Sequence, residues 1–171
     1  MKVWIPTAVA IAIAAILQAA LAPHMAILGV TPNFLLLVVV TLAMVEGSTP
    51  GAVAGFVAGL VFDLLGSGPI GPGALVFTGV GYFAGTLANN IFARSWLMPV
   101  SVVFVASLLA ELVYGGLLAI IGVETQFLGI VFRIVLPGAI YNTVLAVLVY
   151  PWLARFLRAD SDEMTELRGL R

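Results

Sequence analysis

The chain has 171 residues, of which 63% are hydrophobic and only 9% charged, with a mean hydropathy of +1.21. Soluble domains carry roughly 25% charged residues, so a soluble fold is excluded and an integral membrane protein is expected. No cysteine is present and there is one histidine, which excludes disulfides, thiol catalysis and a multi-histidine metal site within one chain. The net charge of -1 hides a segregation. Between residues 3 and 132 only Glu46, Asp63, Arg94, Glu111 and Glu124 are charged, while eight of the fifteen acidic and basic residues fall in residues 155–171.

The first apolar segment covers residues 3–21. It exceeds a signal-peptide core of about 7–15 residues, so an uncleaved first helix is expected. Ala8, Ala12, Ala15 and Ala19 place small residues on one face of it. Ala22-Pro-His breaks it. A short second segment spans residues 33–45 and is expected to be tilted, re-entrant or supported by its neighbours. Glu46-Gly-Ser-Thr-Pro50 reads as a turn, with Ser48 or Thr49 capping a third helix and Pro50 at its first position. That helix, residues 50–65, carries Gly51, Gly55, Gly59 and Asp63 at four-residue spacing. The spacing stacks all four on one face, where glycines admit a close neighbouring backbone. Asp63 therefore faces protein, not lipid, and a charge in that place calls for a partner or a function.

The breaker-rich loop Gly66-Ser-Gly-Pro-Ile-Gly-Pro-Gly73 follows. A fourth helix is expected over residues 74–92, with Gly81 and Gly85 as a second small-residue pair. A fifth is expected over 97–121 and a sixth over 129–157. Close packing on these small-residue faces leaves surfaces for partner helices and for a homo-oligomer. The domain division is a six-helix transmembrane unit, 1–157, and a short cytoplasmic tail, 158–171, too polar to fold alone.

With six crossings, Lys2, Arg94, Arg155, Arg158, Arg168 and Arg171 share a side, and the opposite loops contain no Lys or Arg. The positive-inside rule then makes both termini cytoplasmic. Trp4, Trp96 and Trp152 fall near that same interface, which indoles favour. At 1.5 Å per residue, Asp63 lies roughly 20 Å and Glu111 roughly 21 Å above the cytoplasmic helix starts, with Arg133 at a similar height. These three form a candidate buried charge cluster. Its plainest reading is an ionic latch that fixes helix register, since pairing is the cheapest way to hold such charges. A ligand-binding carboxylate and a contact with a partner helix are the functional alternatives. Gln18 and Asn142 read as interhelical hydrogen-bonding groups. No phosphate loop, nucleophile elbow or metal-ligand set is present. The glycine spacing at Gly79 and Gly81 has a superficial dinucleotide look, but it lies inside a membrane helix. Catalytic, cofactor and metal sites are expected to be absent, and nothing points to nucleic acid.

Thr31-Pro-Asn-Phe-Leu-Leu-Leu37, Glu46-Gly, the ladder from Gly51 to Asp63, the loop from Gly66 to Gly73, and Gly81-Tyr-Phe-Ala-Gly85 resemble the bacterial rod shape-determining protein MreD family. The resemblance covers residues 30–87 in order and spacing. Asn33 stands where that family often has Asp, and Glu46 where a basic residue is common. The resemblance implies a non-enzymatic inner-membrane component of the cell-elongation machinery, the elongasome. Such a component associates with the bitopic protein MreC, and through it with MreB and peptidoglycan synthases. It also implies a bundle similar to the S components of energy-coupling-factor vitamin transporters. That supplies the alternative function, a substrate-binding transporter subunit, with His24, Thr31, Asn33, Glu124 and Gln126 as its candidate ligand groups.

Overall fold

The computed structural model describes residues 4–27, 29–90, 97–122 and 131–169. Lys2, Arg94, Trp96, Glu124, Gln126 and Arg171 lie outside them. Six α-helices are described: α1 (Trp4–Ala20), α2 (Phe34–Glu46), α3 (Ser48–Leu65), α4 (Pro72–Asn90), α5 (Leu97–Ile121) and α6 (Leu136–Gly169). A short 3-10 turn, Ala22–Met25, follows α1, and a π turn, Val131–Val135, leads into α6.

Prolines mark the helix starts. Pro6, Pro50, Pro72, Pro99 and Pro137 all fall in a first turn, where the missing N–H has no intrahelical acceptor to lose. Pro137 also accounts for the π turn, because its ring would crowd the carbonyl of Arg133 four residues back. Between α2 and α3 stands one residue, Gly47, at φ 98°. That left-handed backbone suits glycine and sends Ser48 directly into the helix. Gly47 is therefore the N-cap, and no side chain caps α3. Neither Ser48 nor Thr49 is the cap, and Pro50 lies two positions further in than the sequence suggested.

The helices form a closed ring around one of their number. α1 touches α3, α3 touches α4, α4 touches α5, α5 touches α6, and α6 returns to α1. The helix in the middle is α2, which touches all five. Its residues from Phe34 to Ala43 are all buried. A helix apolar on every side has no face to offer water and belongs in a core.

At 1.5 Å per residue, the thirteen residues of α2 reach only about 20 Å. The chain before it enters the protein interior as non-helical backbone, which membrane depth tolerates only where every polar group finds a partner. The partners are explicit. Ile27 and Val30 exchange backbone hydrogen bonds of 2.9 and 3.0 Å. The Tyr141 hydroxyl donates to the Met25 carbonyl at 2.9 Å. Gln18 donates to the Pro32 carbonyl at 3.1 Å and accepts from the Phe34 N–H at 2.8 Å. The Asn33 N–H donates to Asn142 Oδ1 at 2.8 Å, and the Asn33 side chain caps α2 by accepting from Leu36 N–H at 2.9 Å. Gln18 and Asn142 thus serve as interhelical hydrogen-bonding groups.

Gln18→Leu orphans the Phe34 N–H and the Pro32 carbonyl together, at about 1–3 kcal/mol for each buried group left unsatisfied. The expected result is a clear drop in the thermal midpoint of the purified protein. An unchanged midpoint would mean that water reaches these two groups.

Among the described residues, three helices are long and apolar enough to cross a membrane by length and composition: Ser48–Leu65, Pro99–Ile121 and Arg133–Leu157. The segments Trp4–Ala20, Phe34–Glu46 and Pro72–Ala88 are apolar but shorter. The structure is all-helical, with three clear spans rather than six of equal standing. α1 buries Thr7, Ala10, Ile11 and Ala14. The stripe Ala8, Ala12 and Ala19 is exposed, and Ala15 is half-buried, so that small-residue face looks outward. The tail also differs from expectation, since α6 continues as helical backbone to Gly169. Extending a formed helix avoids the cost of nucleating one, so a segment too polar to fold alone still propagates.

Candidate functional site

Among the described helices, α3 and α4 share the most extensive contact, and it is a close one. A Cβ on Gly55 would land on the carbonyl oxygen of Phe77, and one on Gly59 would land on that of Gly73. Gly51 and Gly81 face each other: a Cβ on Gly81 would strike the Gly51 carbonyl, and one on Gly51 would meet Ala43 and the Gly81 carbonyl. A Cβ on Gly85 would run into the backbone of Gly47 and Ser48. The ladder on α3 and the pair on α4 are one continuous backbone-to-backbone contact. Ala54 and Ala58 beside it are buried to 1% and 0%.

Asp63 closes the seam and is 3% exposed. Its carboxylate accepts hydrogen bonds from Gly71 N–H at 2.8 Å, Gly73 N–H at 3.0 Å and Ala74 N–H at 3.2 Å. Gly71 immediately precedes α4, and Gly73 and Ala74 lie in its first turn; the amide missing from the run belongs to Pro72, which has no N–H. The carboxylate thus caps a neighbouring helix. It satisfies amides that would otherwise have no partner and sits at the positive end of the α4 dipole. That arrangement compensates a buried negative charge without a basic side chain. Glycine is required at two of these places. Gly71 has φ 124°, and a Cβ on Gly73 would collide with the Asp63 carboxylate. Aromatic rings cover the site. Phe62 lies against Phe77 at a centroid distance of 5.3 Å, tilted by 38°, and meets Tyr114 edge-on at 5.9 Å. The Tyr114 hydroxyl lies 3.6 Å from where a Cβ on Gly68 would stand.

The structure sets Arg133 apart from the two buried or half-buried carboxylates, Asp63 and Glu111. Arg133 is exposed on the π turn. Glu111 is half-buried and points across to α6, with its Oε1 3.9 Å from where a Cβ on Gly138 would stand. Among the described residues no ion pair links the three. The depth estimate placed them in one layer of the membrane, but depth says nothing about which side of a ring a residue occupies. The cap was legible in part. Asp63 followed eight residues later by Gly-Pro-Gly is a carboxylate within reach of a helix start. The Asn33–Asn142 bond joins residues 109 positions apart and has no local signal.

Apolar grooves open on the surface among the described residues, one of them between α5 and α6 beside Pro99 and Tyr150. Another, about 260 Å³, lies between α4 and α5 with Gly79 and Ala106 among its lining residues. A third, about 300 Å³, lies between α1, α2 and α6. Among the described residues no group of three or more metal-ligating side chains converges.

No curated protein and no solved structure matches the chain. The bundle similar to transporter S components, expected from the family resemblance, therefore finds no support among known structures. The model of the family described as rod shape-determining protein MreD matches residues 1–159. That match takes in the polar pins on α2, the glycine seam and the Asp63 cap, and by it the chain belongs to the MreD family of rod shape-determining membrane proteins.

Proposed function

We propose that this protein is a non-enzymatic scaffold of the cell-elongation machinery in the bacterial inner membrane. In this reading it binds the transmembrane helix of an MreC-like bitopic protein, and through it supports MreB and the peptidoglycan synthases that set cell shape. The family match over residues 1–159 carries the proposal. The physical character of the surface supports it. The outward faces of the ring are apolar, with Val53, Phe56 and Val57 on α3 and Tyr82, Phe83 and Leu87 on α4 all exposed. The ladder face of α3 is occupied by α4, so a partner helix is left these outer faces.

Affinity purification from membranes, with identification of the co-purifying proteins, tests the reading. Recovery of an MreC-like protein is expected. Recovery of paired ATPases instead would replace the scaffold with a transporter subunit.

The proposed topology has six crossings and both termini in the cytoplasm. Reporters fused after Leu157 or within residues 92–96 are expected to report cytoplasm, and reporters within residues 66–73 the opposite side. A cytoplasmic signal from the loop that Asp63 caps would overturn this topology.

A further inference from the structure

Among the described residues, two buried side-chain atoms have no protein hydrogen-bond partner: Ser107 Oγ and Asn142 Nδ2. Their residues are 1% and 2% exposed. Such atoms are rare in the interior of a folded protein, and rarer where the surroundings are hydrocarbon.

The two belong to one place. α5 and α6 are consecutive and packed together, and Glu111 on α5 lies opposite Gly138 on α6, at the 3.9 Å separation given above. One helical turn back along α5 is Ser107, and one turn forward along α6 is Asn142. In an antiparallel pair these two positions face each other. A further turn in the same directions reaches Val103 and Ala146, both 1% exposed, so the register continues through the core. No hydrogen bond joins Ser107 to Asn142 directly. The Asn142 amide is not free to turn, because its Oδ1 is held by the Asn33 N–H at 2.8 Å. Gly138 contributes no side chain. The nearest atoms to its missing Cβ are Val30 Cγ1 at 3.5 Å and Glu111 Oε1 at 3.9 Å, so the carboxylate, and no side chain of Gly138, borders this point.

We propose that a single ordered water molecule is bound between α5 and α6, accepting from Asn142 Nδ2–H and from the Ser107 hydroxyl and donating to the Glu111 carboxylate. Three partners is the usual complement of a buried water. The geometry uses each group in the sense its chemistry allows: an amide NH₂ donates only, a hydroxyl donates or accepts, and a carboxyl carbonyl oxygen accepts. The site also accounts for Ser107 and Asn142 sharing one seam with Glu111 and yet having no hydrogen bond to each other.

Water-edited solid-state NMR on the full chain in lipid bilayers, labelled with 15N-asparagine, tests this. The Asn142 side-chain signal is assigned by its loss in Asn142→Leu. In the wild-type chain that amide is expected to receive polarisation from water despite its burial. Ser107→Val fills the space with a methyl group and is expected to abolish the transfer while the Asn142 signal persists. A wild-type Asn142 amide that receives no polarisation from water overturns the proposal, as does transfer that survives Ser107→Val. The wild-type measurement is decisive even if the variant fails to fold.

Discussion

Gly55→Ala and Gly59→Ala are expected to cost this protein its folded state or most of its yield. In each case the added methyl is driven into a backbone carbonyl of α4, that of Phe77 or Gly73. A flexible side chain could swing away, but a helix backbone cannot. The seam must open along its length, or α3 must rotate and carry Asp63 off the amides it caps. Overpacking a tight core typically costs about 1–3 kcal/mol, and here both helices are displaced. Leucine at either position is expected to be worse than alanine. Gly79→Ala is the matched control, since a Cβ there meets nothing within 4 Å. Replacing a helical glycine with alanine in open space is expected to be neutral or to stabilise by roughly 0.5–1 kcal/mol. The measurement is the thermal midpoint and monodisperse yield of the three variants in one detergent. Equal behaviour of Gly55→Ala and Gly79→Ala would mean that the α3–α4 seam is looser than the structure shows.

Asp63→Leu is expected to be as damaging, for a different reason. It strips the partner from three amides at once, those of Gly71, Gly73 and Ala74. Each buried donor left unsatisfied costs about 1–3 kcal/mol. Asp63→Asn keeps one acceptor oxygen and loses the charge opposite the α4 dipole, so an intermediate loss is expected. Arg133→Met is expected to be nearly silent, because Arg133 is exposed. The double variant Asp63→Leu/Arg133→Met then behaves as Asp63→Leu alone. Rescue of Asp63→Leu by Arg133→Met would show a charge pair after all, since removing both members of a buried pair is milder than removing one. Thermal midpoints of the four proteins, with the wild type as reference, decide between cap and latch.

The membrane character of the chain and most of its helix positions were legible in the sequence, because both depend on local composition. Apolar runs of helical length between Gly and Pro breakers mark the helices, and α5 is observed over the residues the pattern marked, Leu97–Ile121. The ladder was legible for the same reason. Four-residue spacing is a property of one helix, so Gly51, Gly55, Gly59 and Asp63 had to share a face. What that face meets was not legible. Only the folded structure places the carbonyls of Phe77 and Gly73 against those glycines, and the amides of Gly71, Gly73 and Ala74 on Asp63. Depth along a helix follows from counting residues, and it put Asp63, Glu111 and Arg133 at one height. Azimuth around a bundle follows from packing, and it sets Arg133 outside. The central position of α2 belongs to the same class. Its shortness pointed to a tilted, re-entrant or neighbour-supported segment and not to a central one, and the hydrogen bonds from Gln18 and Asn142 that let so short a helix sit in the middle of a ring depend on α1 and α6 closing around it. Local patterning decides where a helix begins and which residues share a face. The partner of each face is chosen by contacts between segments far apart in the chain, and no spacing rule encodes them.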